Sequence, residues 1–174
     1  RDSSTSRGLG DVYKRQDVLP WLLGDVITSC QVIHGAATGA VAGLLQDPIL
    51  LILKTSRDVV IDLEIFTHCD YGYDIGCEVV CETGTVALPM SSSVQIKQDQ
   101  KRVVREFDFW QERYWNAYDA ELQCFLRYAA CGTAAGPSAW DAYTAAAAAD
   151  LCIAAQKSGK LERMELPGKP EFYQ

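Results

Sequence analysis

The chain has 174 residues, 48% hydrophobic and 22% charged, which supplies enough apolar material for one domain with its own core. A formal net charge of -7 disfavours nucleic acid and anionic membrane surfaces as partners, because both are held by clustered Lys and Arg and no such cluster stands out. Seven cysteines, an odd number with no C-x-x-C pair and no signal peptide ahead of them, point to reduced thiols in a cytoplasmic protein rather than to a disulfide framework.

Residues 1–16, "RDSSTSRGLGDVYKRQ", have no hydrophobic period and read as a disordered leader. The segment resembles the translated remnant of a sequencing adapter, so the native domain is expected to occupy residues 17–174, with whatever preceded it lost. Its "GLG" follows no strand and has no third Gly, so it is not a dinucleotide fingerprint. "DVLPWLLG" then predicts a short helical turn ended by Gly24, and "VITSCQVIHGA" a strand. Gly35, Gly39 and Gly43 follow at spacings of four, but no Lys comes after the last of them, so the stretch reads as a loop or weak helix rather than a phosphate loop.

From Ile49 the apolar period becomes two. "ILLILKTS" and "DVVIDLEIFTH" predict a hairpin with one buried face; "YDIGCEVVCE", "VALP" and "SSVQIKQD" add three further strands. Connections this short force antiparallel neighbours, since a parallel crossover needs about a dozen residues or more. Trp110, Tyr114, Tyr118, Leu122, Phe125 and Ala129 share one face of a long helix ending near Gly132. Ser138 with Asp141 three residues on predicts a capping box for a second helix that stops at Ser158-Gly159. Asp150 interrupts that helix's Ala-rich "YTAAAAADLCIAAQ", which falls short of the roughly 20 apolar residues of a membrane span. "LERMELP" offers a last edge strand. The implied class is α+β: an open, mostly antiparallel β-sheet with two long helices packed on one face. Its other face needs a cover, which predicts a partner domain or subunit.

"FTHCDYGYDIGCEVVCETG" carries the densest chemistry. His68, Cys69, Cys77 and Cys81 are its only set large enough for zinc, yet His68 and Cys69 are adjacent and diverge in a strand. Cys77 and Cys81 share a face with Ile75 and Val79, so both thiols are expected to pack as small hydrophobes in the core, with no metal. Tyr71 and Tyr73 flank Gly72 where one strand ends and the next begins, within reach of a cleft at the sheet's end. Pattern alone favours reading them as ordinary amphipathic tyrosines at a sheet margin.

The blocks "DVLPWLLGD", "VVIDLEIFTHCDYGYDIGCEVVCETGTVALP", "WNAYDAELQCF", "GPSAWDAYTAAAAADLCIAAQKSG" and "ELPGKPEFYQ" resemble the C-terminal half of the glucose-fructose oxidoreductase and inositol dehydrogenase family, on its inositol branch. The resemblance implies a dihydrodipicolinate-reductase-like C-terminal domain for substrate binding and oligomerisation. One face of its sheet carries helices and the active-site side, while the other assembles homotetramers. It also implies a preceding Rossmann domain, absent from this chain, that binds NAD. The family's chemistry is hydride transfer from a ring carbon of myo-inositol to nicotinamide, yielding the 2-keto inosose. The lysine of its Glu-Lys-Pro motif and its Asp-x-x-x-His pair have no counterpart here, so no catalytic residue is expected in the chain, and the chain alone is expected to be inactive. What carries over is a wall for a neutral polyol: Asp17 as acceptor, Tyr73 as contact with Tyr71 beside it, and Tyr118 from the long helix. Cys81 departs from the family's more usual Gly. The alternative is a stand-alone, non-catalytic sheet domain for oligomerisation or ligand binding.

Overall fold

A computed structural model describes residues 16–36, 48–66, 72–88, 95–104, 107–133 and 136–173. The chain divides into two compact units, residues 1–68 with 136–174, and residues 69–135.

The first unit is built on a four-stranded antiparallel sheet in the order β3-β2-β1-β8, from β1 (Ile27–His34), β2 (Ile49–Thr55), β3 (Val60–Ile65) and β8 (Glu162–Arg163). Period-two alternation sends one set of side chains to the core. Leu51 stands between Val32 and Leu63, and Leu53 between Cys30 and Ile61. Cys30, Val32, Leu51, Leu53, Leu63 and Ile65 are all buried. Helix α3 (Ala139–Ser158) closes this face through Ala148, Leu151, Cys152 and Ala155, a helical stripe of mostly small residues. Its start is the predicted capping box: the Asp141 amide donates to the Ser138 hydroxyl, and the Ser138 amide and hydroxyl donate to the Asp141 carboxylate at 2.6 and 2.7 Å. Those bonds from the Ser138 side chain and amide, with help from Lys169, hold the Asp141 carboxyl below its ordinary range. The "LERMELP" segment supplies β8 as the edge strand beside β1.

Residues 16–23 form helix α1, which ends at Gly24 in the left-handed region (φ 57). Leu19 packs against the core. Gln16, assigned by sequence to the leader, is helical and fully buried, and its Nε2 donates to Cys152 Sγ at 2.8 Å. Asp25 ties α1 to the β2–β3 turn. Its carboxylate accepts from the Val26 amide at 2.9 Å, from the Ser56 hydroxyl and from the Arg57 amide at 3.0 Å, and Arg57 Nε lies 3.4 Å from Oδ2. Arg57 Nη2 also donates to Leu23 O at 2.6 Å, satisfying a carbonyl at the end of α1.

The second unit holds hairpin β4 (Glu78–Cys81) with β5 (Gly84–Ala87), hairpin β6 (Gln95–Gln98) with β7 (Lys101–Val104), and helix α2 (Trp110–Cys131), whose end at Gly132 (φ 67) was predicted. Strand β7 was not foreseen. Its turn uses Asp99 and Gln100 at φ 51 and 61, a left-handed pair without the Asn-Gly signature that usually marks such turns.

The thiols require a correction. Cys81 is exposed and Cys77 only half-buried. A two-stranded ribbon cannot seal a face by itself, and Cys81 pairs with Gly84 at the very turn. The core thiols are instead Cys30 and Cys152, facing each other between β1 and α3. Hydrogen bonding to Cys30, and then burial, push the Cys152 thiol up, which keeps it protonated and unreactive. An aromatic disulfide reagent should therefore modify Cys81 and Cys131 in the native chain and reach Cys30 and Cys152 only in denaturant, as peptide mass mapping would show.

The α+β class and the antiparallel sheet stand as expected. Of the two long helices, α3 packs on the sheet, while α2 belongs to the second unit. The glycine-spaced segment after β1 lies largely outside the described residues.

Candidate functional site

Gly72 adopts φ 113, a region open to glycine and strained for any side chain, and this turns the chain into Tyr73. The Tyr73 amide then donates to Phe107 O at 2.8 Å, an isolated antiparallel bridge that lays the strand end beside the start of α2. From the first turns of α2, Tyr114 meets the Tyr73 ring edge to face, with centroids 6.4 Å apart. Arg113 Nη2 donates to Ile75 O at 3.1 Å, a second tie to the same strand end. One turn along, Tyr118 is in T-shaped contact with Trp110 at 6.2 Å and remains 43% exposed. The i, i+4 spacing of Trp110, Tyr114 and Tyr118 thus becomes an aromatic row on one flank of α2, with Tyr73 docked against its middle member.

Tyr73 and Tyr118 are accordingly carried by the same unit, both joined to α2's aromatic row. Asp17 is exposed on α1 in the first unit. Tyr71, His68 and Cys69 lie outside the described residues. Sequence reasoning placed Trp110 and Tyr114 on the helix face but gave them no part in the site, and Arg113 it missed altogether. The recurrence of an aromatic every fourth position was the available signal.

Among the described residues, no three His, Cys, Asp or Glu side chains gather as a metal site. Nor do the residues present fit a dinucleotide. Every strand pairing described is antiparallel, so no strand-turn-helix-strand crossover offers a helix N-terminus to a pyrophosphate. The described helices include none long and apolar enough to cross a membrane. In the first unit, α3 and β8 border a groove of about 310 Å³ lined by Tyr143, Asp150, Glu162, Arg163, Met164 and Glu165, and none of the predicted site residues is among its walls. The tyrosine cluster offers hydroxyls and ring faces without net charge, a surface suited to a neutral, hydroxyl-rich ligand.

Comparison with known proteins agrees with the fold. The family described as "Oxidoreductase family, C-terminal alpha/beta domain" matches residues 15–166. Inositol 2-dehydrogenases of Ralstonia nicotianae and Azotobacter vinelandii are each 46% identical over 157 residues, covering 90% of this chain and 47% and 46% of those proteins. The crystal structure of myo-inositol dehydrogenase from Lactobacillus casei in complex with NAD(H) and myo-inositol superimposes with a TM-score of 0.86 at 32% identity, over 94% of this chain and 49% of that one. The chain thus spans about half the length of the relatives it matches. With a match over residues 15–166 and the antiparallel α+β architecture in hand, the chain belongs to the C-terminal alpha/beta domain of this oxidoreductase family.

Proposed function

We propose that residues 17–174 are the substrate-binding and oligomerisation domain of an NAD-dependent oxidoreductase that oxidises myo-inositol to the 2-keto inosose. The foreign leader ends before Gln16, whose buried side chain donates to Cys152 Sγ. NAD is bound, and the hydride transfer carried out, by a Rossmann domain outside residues 17–174. The observation that carries the reading is the likeness, at TM-score 0.86 and 32% identity, to a myo-inositol dehydrogenase seen with NAD(H) and myo-inositol. Tyr73 and Tyr118, both joined to the aromatic row of α2, offer directional hydrogen bonds to the polyol's hydroxyls, and the family likeness assigns polyol contacts to Asp17 and Tyr71 as well. The protein is cytoplasmic.

The sheet face turned away from α3 is the oligomer interface, the homotetramer being what the family likeness implies. Its side chains form the rows Gln31-Ile52-Asp62 and Ile33-Leu50-Glu64, an apolar centre with charges at the β3 edge, and Ile33 is 45% exposed. A rim of this kind around an apolar centre is how subunit contacts are commonly built.

The reading is tested by recovering the upstream reading frame and expressing it as one chain with residues 17–174. The expected product reduces NAD with myo-inositol, and Tyr73→Phe raises KM about tenfold by removing one hydroxyl contact. The present chain alone shows no turnover. NAD-dependent oxidation by the 174-residue chain, or a folded, NAD-binding full-length protein inert to every inositol, would overturn it.

A further inference from the structure

We propose that Tyr114 and Arg113 are positioning residues for Tyr73, an inference that rests on the polyol-wall reading of Tyr73 given above. Three independent ties converge on the short segment after Gly72: the Tyr73 amide on Phe107 O at 2.8 Å, the Tyr73 ring on Tyr114 at 6.4 Å between centroids, and the Ile75 carbonyl under the Arg113 guanidinium at 3.1 Å. All three anchors sit at, or just before, the beginning of α2.

The arrangement divides the labour. The amide bond and the arginine fix the backbone on either side of Tyr73, and the edge-to-face contact selects the ring's rotamer. The three ties act on the Tyr73 backbone and ring, and so set the direction in which its phenol points. A side chain that must present a hydroxyl to a polyol gains affinity when its orientation is set before the ligand arrives. Tyr114 serves through its ring, so its own hydroxyl is dispensable. Arg113 serves through a directional N–H, which an isosteric apolar chain lacks.

The test uses the 174-residue chain with ring-labelled tyrosine, observed by NMR during titration with myo-inositol, together with amide exchange at Tyr73. In the parent chain the Tyr73 ring signals shift saturably with myo-inositol. Tyr114→Leu and Arg113→Met each speed Tyr73 amide exchange about tenfold and weaken the titration about fivefold, the scale of one lost ring or hydrogen-bond contact. The thermal midpoint and exchange at Leu122, in the middle of α2, stay unchanged, which a merely structural role would not allow. Tyr114→Phe restores both Tyr73 readouts. A titration that still responds as in the parent, with Tyr73 exchange unaltered in Tyr114→Leu, would overturn the positioning role. Exchange that rises in the variants while the parent's Tyr73 ignores myo-inositol would instead overturn the polyol contact, and the inference with it.

Discussion

Leu53→Ala should lower the unfolding free energy by about 3 kcal/mol, the usual cost of removing a buried leucine and leaving a cavity. Leu53 is fully buried at the centre of β2, paired with Cys30 on one side and Ile61 on the other. Neither neighbouring strand can move into the gap, because each is fixed by its own ladder of backbone hydrogen bonds. From above, the face is closed by α3, whose stripe there is largely alanine, and an alanine has no longer rotamer to swing into the space. In urea the midpoint falls while the slope stays that of the parent, since the surface exposed on unfolding hardly changes. Val60→Ala, at a side chain 59% exposed on the adjoining strand, is the control and should shift stability by no more than about 0.5 kcal/mol. A cost at Leu53 below about 1 kcal/mol would mean that α3 does not seal this sheet.

The elements written by local rules were legible in the sequence. Ser138 and Asp141 announced the start of α3 because a capping box needs only residues three apart, and Gly24, Gly132 and Gly159 announced helix ends because each takes the left-handed conformation that other residues resist. The β2–β3 hairpin followed from its period of two. Features that depend on a partner distant in sequence were not legible. Cys81 has the apolar neighbours of a core position, yet lies in a ribbon that leaves its side chain exposed, whereas Cys30 and Cys152 become core because β1 meets α3 after more than a hundred residues. The site followed the same division. Tyr73 and Tyr118 were singled out by residue type and family likeness, while Arg113's tie to Ile75 O spans 38 positions and leaves no periodic trace.

Asp25→Ala should cost about 2 kcal/mol near neutral pH, on the scale of leaving hydrogen-bonded donors without their charged acceptor. The Asp25 side chain is 5% exposed. Burial alone would raise its pKa, but bonds from Ser56, Thr55 and the amides of Arg57 and Val26 outweigh it and hold the carboxyl well below the usual carboxylate range. Truncation leaves the amides of Val26 and Arg57 and the hydroxyls of Thr55 and Ser56 without their acceptor and frees Arg57, which also holds Leu23 O at the end of α1, so α1 and the β2–β3 turn loosen together. The sign of the pH dependence follows. A carboxyl whose folded pKa is depressed stabilises fully above its unfolded value of about 3.9, and that contribution is lost as pH falls through the folded pKa. The gap in stability between the parent and Asp25→Asn should therefore be flat above about pH 5 and narrow steadily below about pH 4. Urea midpoints of the two proteins across that range supply the comparison, and a gap that widens on acidification would show that Asp25 enters the fold protonated, without the charge-assisted bonds that the geometry gives it.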